Sequence, residues 1–140
     1  MTILLKQQDY VEILSYTQEK LPNEACGLLA GRIEGEVKTV EKVYYLINVD
    51  QSPEHFSMDP KEQFAAIKDI RSKGWMLLGN FHSHPSSPSR PSQEDIRLAF
   101  DPDASYLILS LQDKEHPVFK SFKIKEGTVN EEELRLFDLP

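Results

Sequence analysis

Residues 75–84 constrain the fold more than any other part of the chain. The segment is mostly apolar, but Gly79 lies inside it and Pro85 follows it. These features make it too short for a core helix. The sequence therefore predicts a central β-strand here, around which the remaining elements must pack.

The rest of the chain predicts three helices and four further strands. Helices are expected at 6–20, at 60–73 after an Asp59 cap, and at 93–100. Strands are expected at 26–31, 37–49, 106–111 and 118–124, the second of them broken or bulged in its middle. This order predicts a single α+β (mixed α/β) domain with helices flanking a central sheet.

Charge and cysteine content exclude several classes of function. The net charge is −7, from 23 acidic and 16 basic residues, and no basic block is present to bind nucleic acid. Cys26 is the single cysteine, which excludes an internal disulfide and any zinc site built from several cysteines. It is expected to be a small core residue. The acidic stretch 131–133 is expected to be a solvated face.

The apolar segments are too short for membrane insertion or export. The N-terminus becomes polar after three apolar residues, which is too short for the core of a signal peptide. The longest apolar run, at 43–47, is far shorter than a membrane-spanning helix. We therefore expect a cytoplasmic protein with no membrane partner.

A metal site must be built mainly from histidines and carboxylates. His82 and His84 lie two apart at the end of the predicted central strand, so their rings share one face. Ser92 and Asp95 lie three apart at the start of a predicted helix, which puts both on its first turn. Two histidines and a carboxylate are a recurrent ligand set for catalytic zinc, with water as the fourth ligand.

Hydrolysis at such a site also needs a proton acceptor and a group that stabilises an oxyanion. Glu24, just before the glycine-containing strand, is the candidate general base and acid. Ser92 is the candidate hydrogen-bond donor to the oxyanion.

Each of these residues alone has a simpler interpretation. The histidine pair is then structural or on the surface, Ser92 and Asp95 cap a helix, and Glu24 is a solvated loop residue. The remaining histidines, His55 and His116, are expected at the surface.

Taken together, the residues resemble the signature of the JAMM metalloproteases, the catalytic (MPN-plus) members of the MPN domain family. That signature is an upstream Glu and then H-[ST]-H-P, with seven residues between the second His and a Ser, and two residues between that Ser and an Asp. Glu24, the segment 82–85, Ser92 and Asp95 match every position. The resemblance extends over about residues 2–125 and implies one MPN-type domain in 1–140, with a central mixed sheet and a C-terminal extension at 126–140.

The resemblance also implies a mechanism and a substrate class. It implies that His82, His84 and Asp95 bind one Zn²⁺, that Glu24 is the general base and then the acid, and that Ser92 stabilises the oxyanion. The expected reaction is hydrolysis of a peptide or isopeptide bond after the C-terminal Gly-Gly of a ubiquitin-like or sulfur-carrier protein, as in the stand-alone prokaryotic members. The loops at 50–59 and 85–91 are the expected walls of the groove for that tail.

Two rival functions are weighed against this one. A zinc deaminase would need H-x-E and P-C-x-x-C, and the chain has His84 in place of that Glu and only one cysteine. The alternative from another class is a non-catalytic MPN-type interaction or scaffold domain. Such domains have usually lost site residues, whereas this chain retains them all.

Overall fold

Seven strands close into a barrel-like mixed sheet in the computed structural model, which describes residues 1–139. Three helices accompany the strands, as expected from the sequence. In chain order the elements are β1 (Thr2–Lys6), α1 (Gln7–Glu19), β2 (Cys26–Glu34), β3 (Val37–Leu46), α2 (Pro60–Ser72), β4 (Met76–His84), α3 (Gln93–Arg97), β5 (Ser105–Ser110), β6 (Val118–Lys125) and β7 (Thr128–Phe137).

The strands follow the order β1-β3-β2-β4-β5-β6-β7 around the sheet. Three neighbouring pairs are parallel, β1 with β3, β1 with β7, and β4 with β5, and the others are antiparallel. The prediction of one α+β domain with a mixed sheet is thus confirmed. The main core consists of Ile13 of α1, Leu111 just after β5, and buried side chains from the strands: Ile3, Leu5, Leu29, Val40, Val43, Leu78, Phe81, Leu107 and Leu109.

Strand β4 is central, as the sequence predicts, because it pairs with β2 on one side and β5 on the other. A Cβ at Gly79 would overlap the backbone carbonyl of Ser105, so glycine lets β5 approach closely. The predicted irregularity in β3 is a bulge. Ala30 pairs with Lys42 and Gly31 with Val40, which leaves Glu41 without a partner on β2.

Helices α2 and α3 begin where the sequence predicts, but α3 ends early. Asp59 caps α2 by accepting a hydrogen bond from the backbone N–H of Lys61 at 3.2 Å. Helix α3 was expected to reach residue 100 but ends at Arg97, and Phe100 is 84% exposed. No residue of α3 is buried, so the packing that would stabilise a longer helix is absent, which accounts for the early end. Among residues 1–139, no helix has the length and apolar composition needed to cross a bilayer.

Strands β1 and β7 were not predicted. They pair with each other in parallel, from Thr2 opposite Glu133 to Lys6 opposite Phe137. Most of the segment expected to be a C-terminal extension is therefore a strand that closes the sheet. The acidic stretch within it is only partly a solvated face, because Glu132 is buried and accepts a hydrogen bond from Ser121 at 2.7 Å.

Candidate metal centre and active site

The two histidines at the end of β4 lie side by side and are almost fully buried. His82 is 2% exposed and His84 is 4% exposed, and their Nε2 atoms are 3.0 Å apart. The Nδ1 atom of His84 donates to the carbonyl of Pro88 at 2.9 Å, which leaves the Nε2 lone pair directed at its neighbour. The Nδ1 atom of His82 is buried and has no hydrogen-bond partner within residues 1–139.

Helix α3 brings Asp95 to these two rings. Its Oδ2 atom lies 3.1 Å from Nε2 of His82 and 3.2 Å from Nε2 of His84. The carboxylate is oriented by a capping box: the backbone N–H of Ser92 donates to Asp95 Oδ2 at 2.9 Å, and the backbone N–H of Asp95 donates to Ser92 Oγ at 3.0 Å. The same two residues therefore begin the helix and build the site.

The three donor atoms fit a tetrahedral metal ion. They form a nearly equilateral triangle with sides of 3.0 to 3.2 Å. Ligand atoms bound to zinc at about 2.0–2.1 Å in a tetrahedron are about 3.3 Å apart, close to this spacing. His82, His84 and Asp95 form the one histidine, cysteine and carboxylate cluster in residues 1–139 with ligand atoms this close together.

The electrostatics of the cluster suit a cation. Burial raises the pKa of Asp95, but hydrogen bonds with His82 and His84 outweigh that effect and hold the pKa well below its usual value. Burial lowers the pKa of His82 and so favours the neutral ring that a metal requires. For His84, burial also lowers the pKa, but bonds with Asp95 and Pro88 raise it more. A metal ion bound at Nε2 of His84 requires the neutral ring, so metal binding would compete with protonation of that nitrogen.

Glu24 lies beside this cluster but is not part of the donor triangle. It is 4% exposed, and its Oε1 atom has no hydrogen-bond partner in the described part of the chain. Burial raises the pKa of Glu24 to about 8, with His84 lowering it and Asp95 raising it further. A carboxyl group that titrates near neutrality beside a candidate metal site is suited to accept and return a proton.

The backbone around Glu24 is held on both sides. Its N–H donates to the carbonyl of Ser52 at 2.8 Å, and its carbonyl accepts from the side chain of Asn48 at 3.0 Å. The next residue, Ala25, bonds to Ser83, which lies between the two histidines. Contacts distant in sequence thus bring Glu24 to the site.

Ser92 lies at the exposed edge of the site. Its Oγ accepts from the N–H of Asp95 and donates to no described residue. The hydroxyl proton is therefore available to a substrate oxygen next to the carboxylate of Asp95. All five residues expected at the site, Glu24, His82, His84, Ser92 and Asp95, thus lie in one region of the fold.

Comparison with known proteins identifies the family. Residues 6–125 match the family model described as prokaryotic homologs of the JAB domain. The chain belongs to this family. The match includes every candidate site residue.

Three relatives of this JAB domain match between 70% and 99% of its length. The CysO-cysteine peptidase of Mycobacterium tuberculosis is 29% identical over 97% of this chain and 92% of its own length. A desampylase of Haloferax volcanii is 36% identical over 70% of this chain and 73% of its own. A solution structure of a Desulfitobacterium hafniense protein is 57% identical, with a TM-score of 0.90, and the match covers 99% of this chain and 94% of that one.

A cleft of about 370 Å³ opens beside the donor triangle of this JAB domain. His82 and Asp95 line one end of it, and Phe56, Ser57 and Met58 form part of its wall. The loop 50–59 thus lines the cleft, as expected. The loop 85–91 is not part of this lining, so its expected role as a wall of the groove stays a prediction. Through Pro88 that loop supports His84.

Two residues at this site were not predicted from the sequence. The ring of Phe56 stacks on His82, with ring centroids 4.6 Å apart and planes 28° apart. Asn80 lies two residues before His82, on the same face of β4, and also lines the cleft. An aromatic residue in a loop and an amide in a strand carry no sequence signal of their own. The one sequence clue to Asn80 is its position two residues before the predicted ligand His82.

The remaining residues with reactive side chains lie outside the donor triangle. The Cys26 thiol is fully buried, and burial raises its pKa to about 12, as suits the predicted core residue. His116 pairs with Asp113 at the exposed surface, as predicted. His55 is likewise exposed and pairs with Asp50 within the loop 50–59.

Proposed function

We propose that this protein is a zinc-dependent peptidase or isopeptidase that cleaves after the C-terminal Gly-Gly of a ubiquitin-like or sulfur-carrier protein. The observation that carries the proposal is the convergence of three donor atoms within 3.2 Å beside a buried carboxyl group. The names of the relatives add support, since one is a CysO-cysteine peptidase and another a desampylase.

His82, His84 and Asp95 would hold the metal ion. Zinc bound there supplies a Lewis acid and lowers the pKa of water, which makes a nucleophile available near neutral pH. The protein's contribution is to hold the two imidazoles and the carboxylate in place. It does so with the capping box of α3 and the bond from His84 to Pro88.

Glu24 moves the proton in this proposal. As a carboxylate it takes a proton from the attacking water, and as a carboxylic acid it gives that proton to the leaving amine. Its burial near the metal site allows both forms near neutral pH, because burial disfavours the charged form.

Ser92 stabilises the developing negative charge on the scissile carbonyl oxygen. Its Oγ is held by the backbone N–H of Asp95, so the hydroxyl proton is free to donate to that oxygen. Loss of one such donor lowers kcat by about 10²–10³ in other hydrolases.

The test uses zinc-loaded protein and a small β-grasp carrier whose Gly-Gly is followed by one further residue or a short peptide. Mass spectrometry of the products should show cleavage after the second glycine. Glu24→Gln should retain zinc yet cleave about 10²–10⁴ times more slowly. Glu34→Gln, an exposed glutamate at the end of β2 remote from Glu24, is the matched control and should cleave like the wild type.

Two results would reject the proposal. If the zinc-loaded protein left every Gly-Gly fusion intact, the rival function as a non-catalytic interaction domain would be favoured. If Glu24→Gln cleaved as fast as the wild type, the assignment of the general base would be wrong.

A further inference from the structure

We propose that the cleft beside His82 binds the substrate tail on the acyl side of the scissile bond, with Asn80 as a positioning residue. In this arrangement the Asn80 amide binds a peptide group of the tail, and the residue before Gly-Gly places an apolar side chain in the cleft. The inference rests on the proposed function and specifies its substrate.

The floor of the cleft is a continuous sheet surface that leads away from the metal site. Asn80 and His82 lie on one face of β4, and in the neighbouring strand β5 they are paired with Tyr106 and Ile108. Ile124 of β6 extends this floor. A substrate bound at His82 can therefore continue over Asn80 without leaving the cleft.

Asn80 carries a side-chain amide that is free to hydrogen-bond a ligand in the cleft. Gln63 donates its side-chain N–H to the sulfur of Met58 at 3.5 Å, and the hydroxyl of Tyr106 donates to the carbonyl of Asp101 at 3.1 Å. The half-buried side chain of Asn80 bonds to no described residue. A carboxamide carries both donors and an acceptor, which match the C=O and N–H of a peptide group.

The spacing along β4 identifies which peptide group Asn80 would meet. Two residues of a strand span about 6.6 Å. An extended tail that follows β4 covers the same distance in two residues back from the scissile carbonyl. That position is the peptide group between the first glycine and the residue before it, so the side chain of that preceding residue lies at the cleft.

The position of Glu24 indicates that the cleft binds the part of the substrate on the acyl side of the scissile bond. The leaving amine must lie near Glu24, which returns its proton, and Glu24 is not part of the cleft lining. It lines a separate cavity of about 190 Å³, whose lining also includes Lys20, Asn23 and Asn48. The leaving group therefore belongs on that side, and the tail on the side of Asn80.

The chemistry of the cleft selects an apolar side chain. Two glycines leave most of a cavity of about 370 Å³ empty, and much of its surface comes from Phe56, Met58, Leu98 and Ile108. Glu94 also lines the cleft and would repel an acidic residue. A leucine-sized residue before Gly-Gly is thus favoured over alanine, and aspartate is disfavoured.

The kinetic test compares carrier fusions with Leu-Gly-Gly, Ala-Gly-Gly and Asp-Gly-Gly before the scissile bond, using zinc-loaded protein. We expect kcat/KM for leucine to exceed that for alanine about tenfold, with aspartate lowest. Asn80→Leu should raise KM about tenfold with little change in kcat, because it removes an interaction made before the chemical step. Asn130→Leu on β7, an exposed position, is the matched control and should leave both constants unchanged. Zinc content and the unfolding midpoint should be equal in all three proteins.

A binding test separates this inference from the proposed function. In ¹⁵N-labelled protein, the product peptide Leu-Gly-Gly should shift the side-chain NH₂ resonances of Asn80, assigned by their loss in Asn80→Leu. Two outcomes would overturn the inference and leave the proposed function intact. One is cleavage of the Gly-Gly fusions with no preference among the three tails. The other is cleavage of the fusions while the peptide leaves the side-chain resonances of Asn80 unshifted. Absence of cleavage of every fusion, with zinc bound, overturns both.

Discussion

The hydroxyl of Ser83 accepts a hydrogen bond from the backbone N–H of Ala25 at 2.8 Å. In return, the N–H of Ser83 donates to the carbonyl of Ala25 at 3.0 Å. Ser83 lies between the two histidines and Ala25 follows Glu24, so this pair of bonds fixes the proposed general base relative to the candidate metal ligands. The separation between Glu24 and the histidines is therefore set by hydrogen bonds between β4 and the residue just before β2.

Ser83→Ala should weaken both stability and catalysis. The substitution leaves the buried N–H of Ala25 unpaired, which costs about 1–3 kcal/mol in the free energy of unfolding. It also releases Glu24 from its position, and we expect kcat to fall at least about tenfold. Urea denaturation and the cleavage assay measure the two effects.

A matched control is Ser121→Ala. Ser121 is also fully buried, and its hydroxyl donates to Glu132 at 2.7 Å, away from the site. This variant should be destabilised while kcat stays at the wild-type value. Equal losses of kcat in both variants would show that Ser83 acts only through stability.

Asp95→Ala should abolish zinc binding. Asp95 is the only carboxylate in the donor triangle. Its negative charge partly balances that of the metal cation, which two neutral imidazoles cannot do. Elemental analysis should find about one zinc per wild-type chain and almost none in the variant. Asp113→Ala, which breaks an exposed Asp–His pair, should keep its zinc. Retention of zinc by Asp95→Ala would refute the ligand assignment.

The site was predictable where its geometry is local. His82 and His84 share a strand face by simple alternation, and Ser92 and Asp95 share a helical turn. These relationships depend only on spacing along the chain. The position of Glu24 depends on Ser83, which is 59 residues away, and only the family signature linked it to the histidines.

The missed parts of the fold depend on partners distant in sequence. Strand β1 has five residues and leads directly into α1, so no turn marks its end. Strand β7 contains three consecutive glutamates and has little apolar alternation. Each is a strand because it pairs with the other at the closure of the sheet, a contact between opposite ends of the chain.

Phe56→Ala should lower the affinity for zinc. His84 is oriented by its bond to Pro88, but His82 has no such bond in the described part of the chain and is held by stacking on Phe56. Loss of a group that orients a metal ligand typically costs about 10–100-fold in metal affinity. Competition with a chromogenic chelator measures the change. Phe64→Ala, at a side chain that is 66% exposed on α2, should have the wild-type affinity, and the proposed role of Phe56 fails if the two variants bind zinc equally well.

Lys38 should make stability depend on alkaline pH. It is 2% exposed, and its Nζ donates to the carbonyls of Leu78 and Asp103 and to Ser105 Oγ. Burial lowers its pKa from 10.5 to about 8, and nearby Lys123 contributes to the shift. Between these two values the unfolded chain binds a proton that the folded chain has released, so the free energy of unfolding should rise as pH increases from 8 towards 10.5.

The measurement is a set of urea unfolding curves between pH 7 and 10 for the wild type and Lys38→Met. Below about pH 8 both states of the wild type hold the proton, and the difference in unfolding free energy between the two proteins should be constant. Above pH 8, the free energy of unfolding of the wild type should increase by on the order of 1–3 kcal/mol relative to that of Lys38→Met. Tyrosines that titrate at high pH are common to both proteins and cancel in the comparison. A constant difference across the whole range would show that Lys38 keeps an ordinary pKa in the folded state.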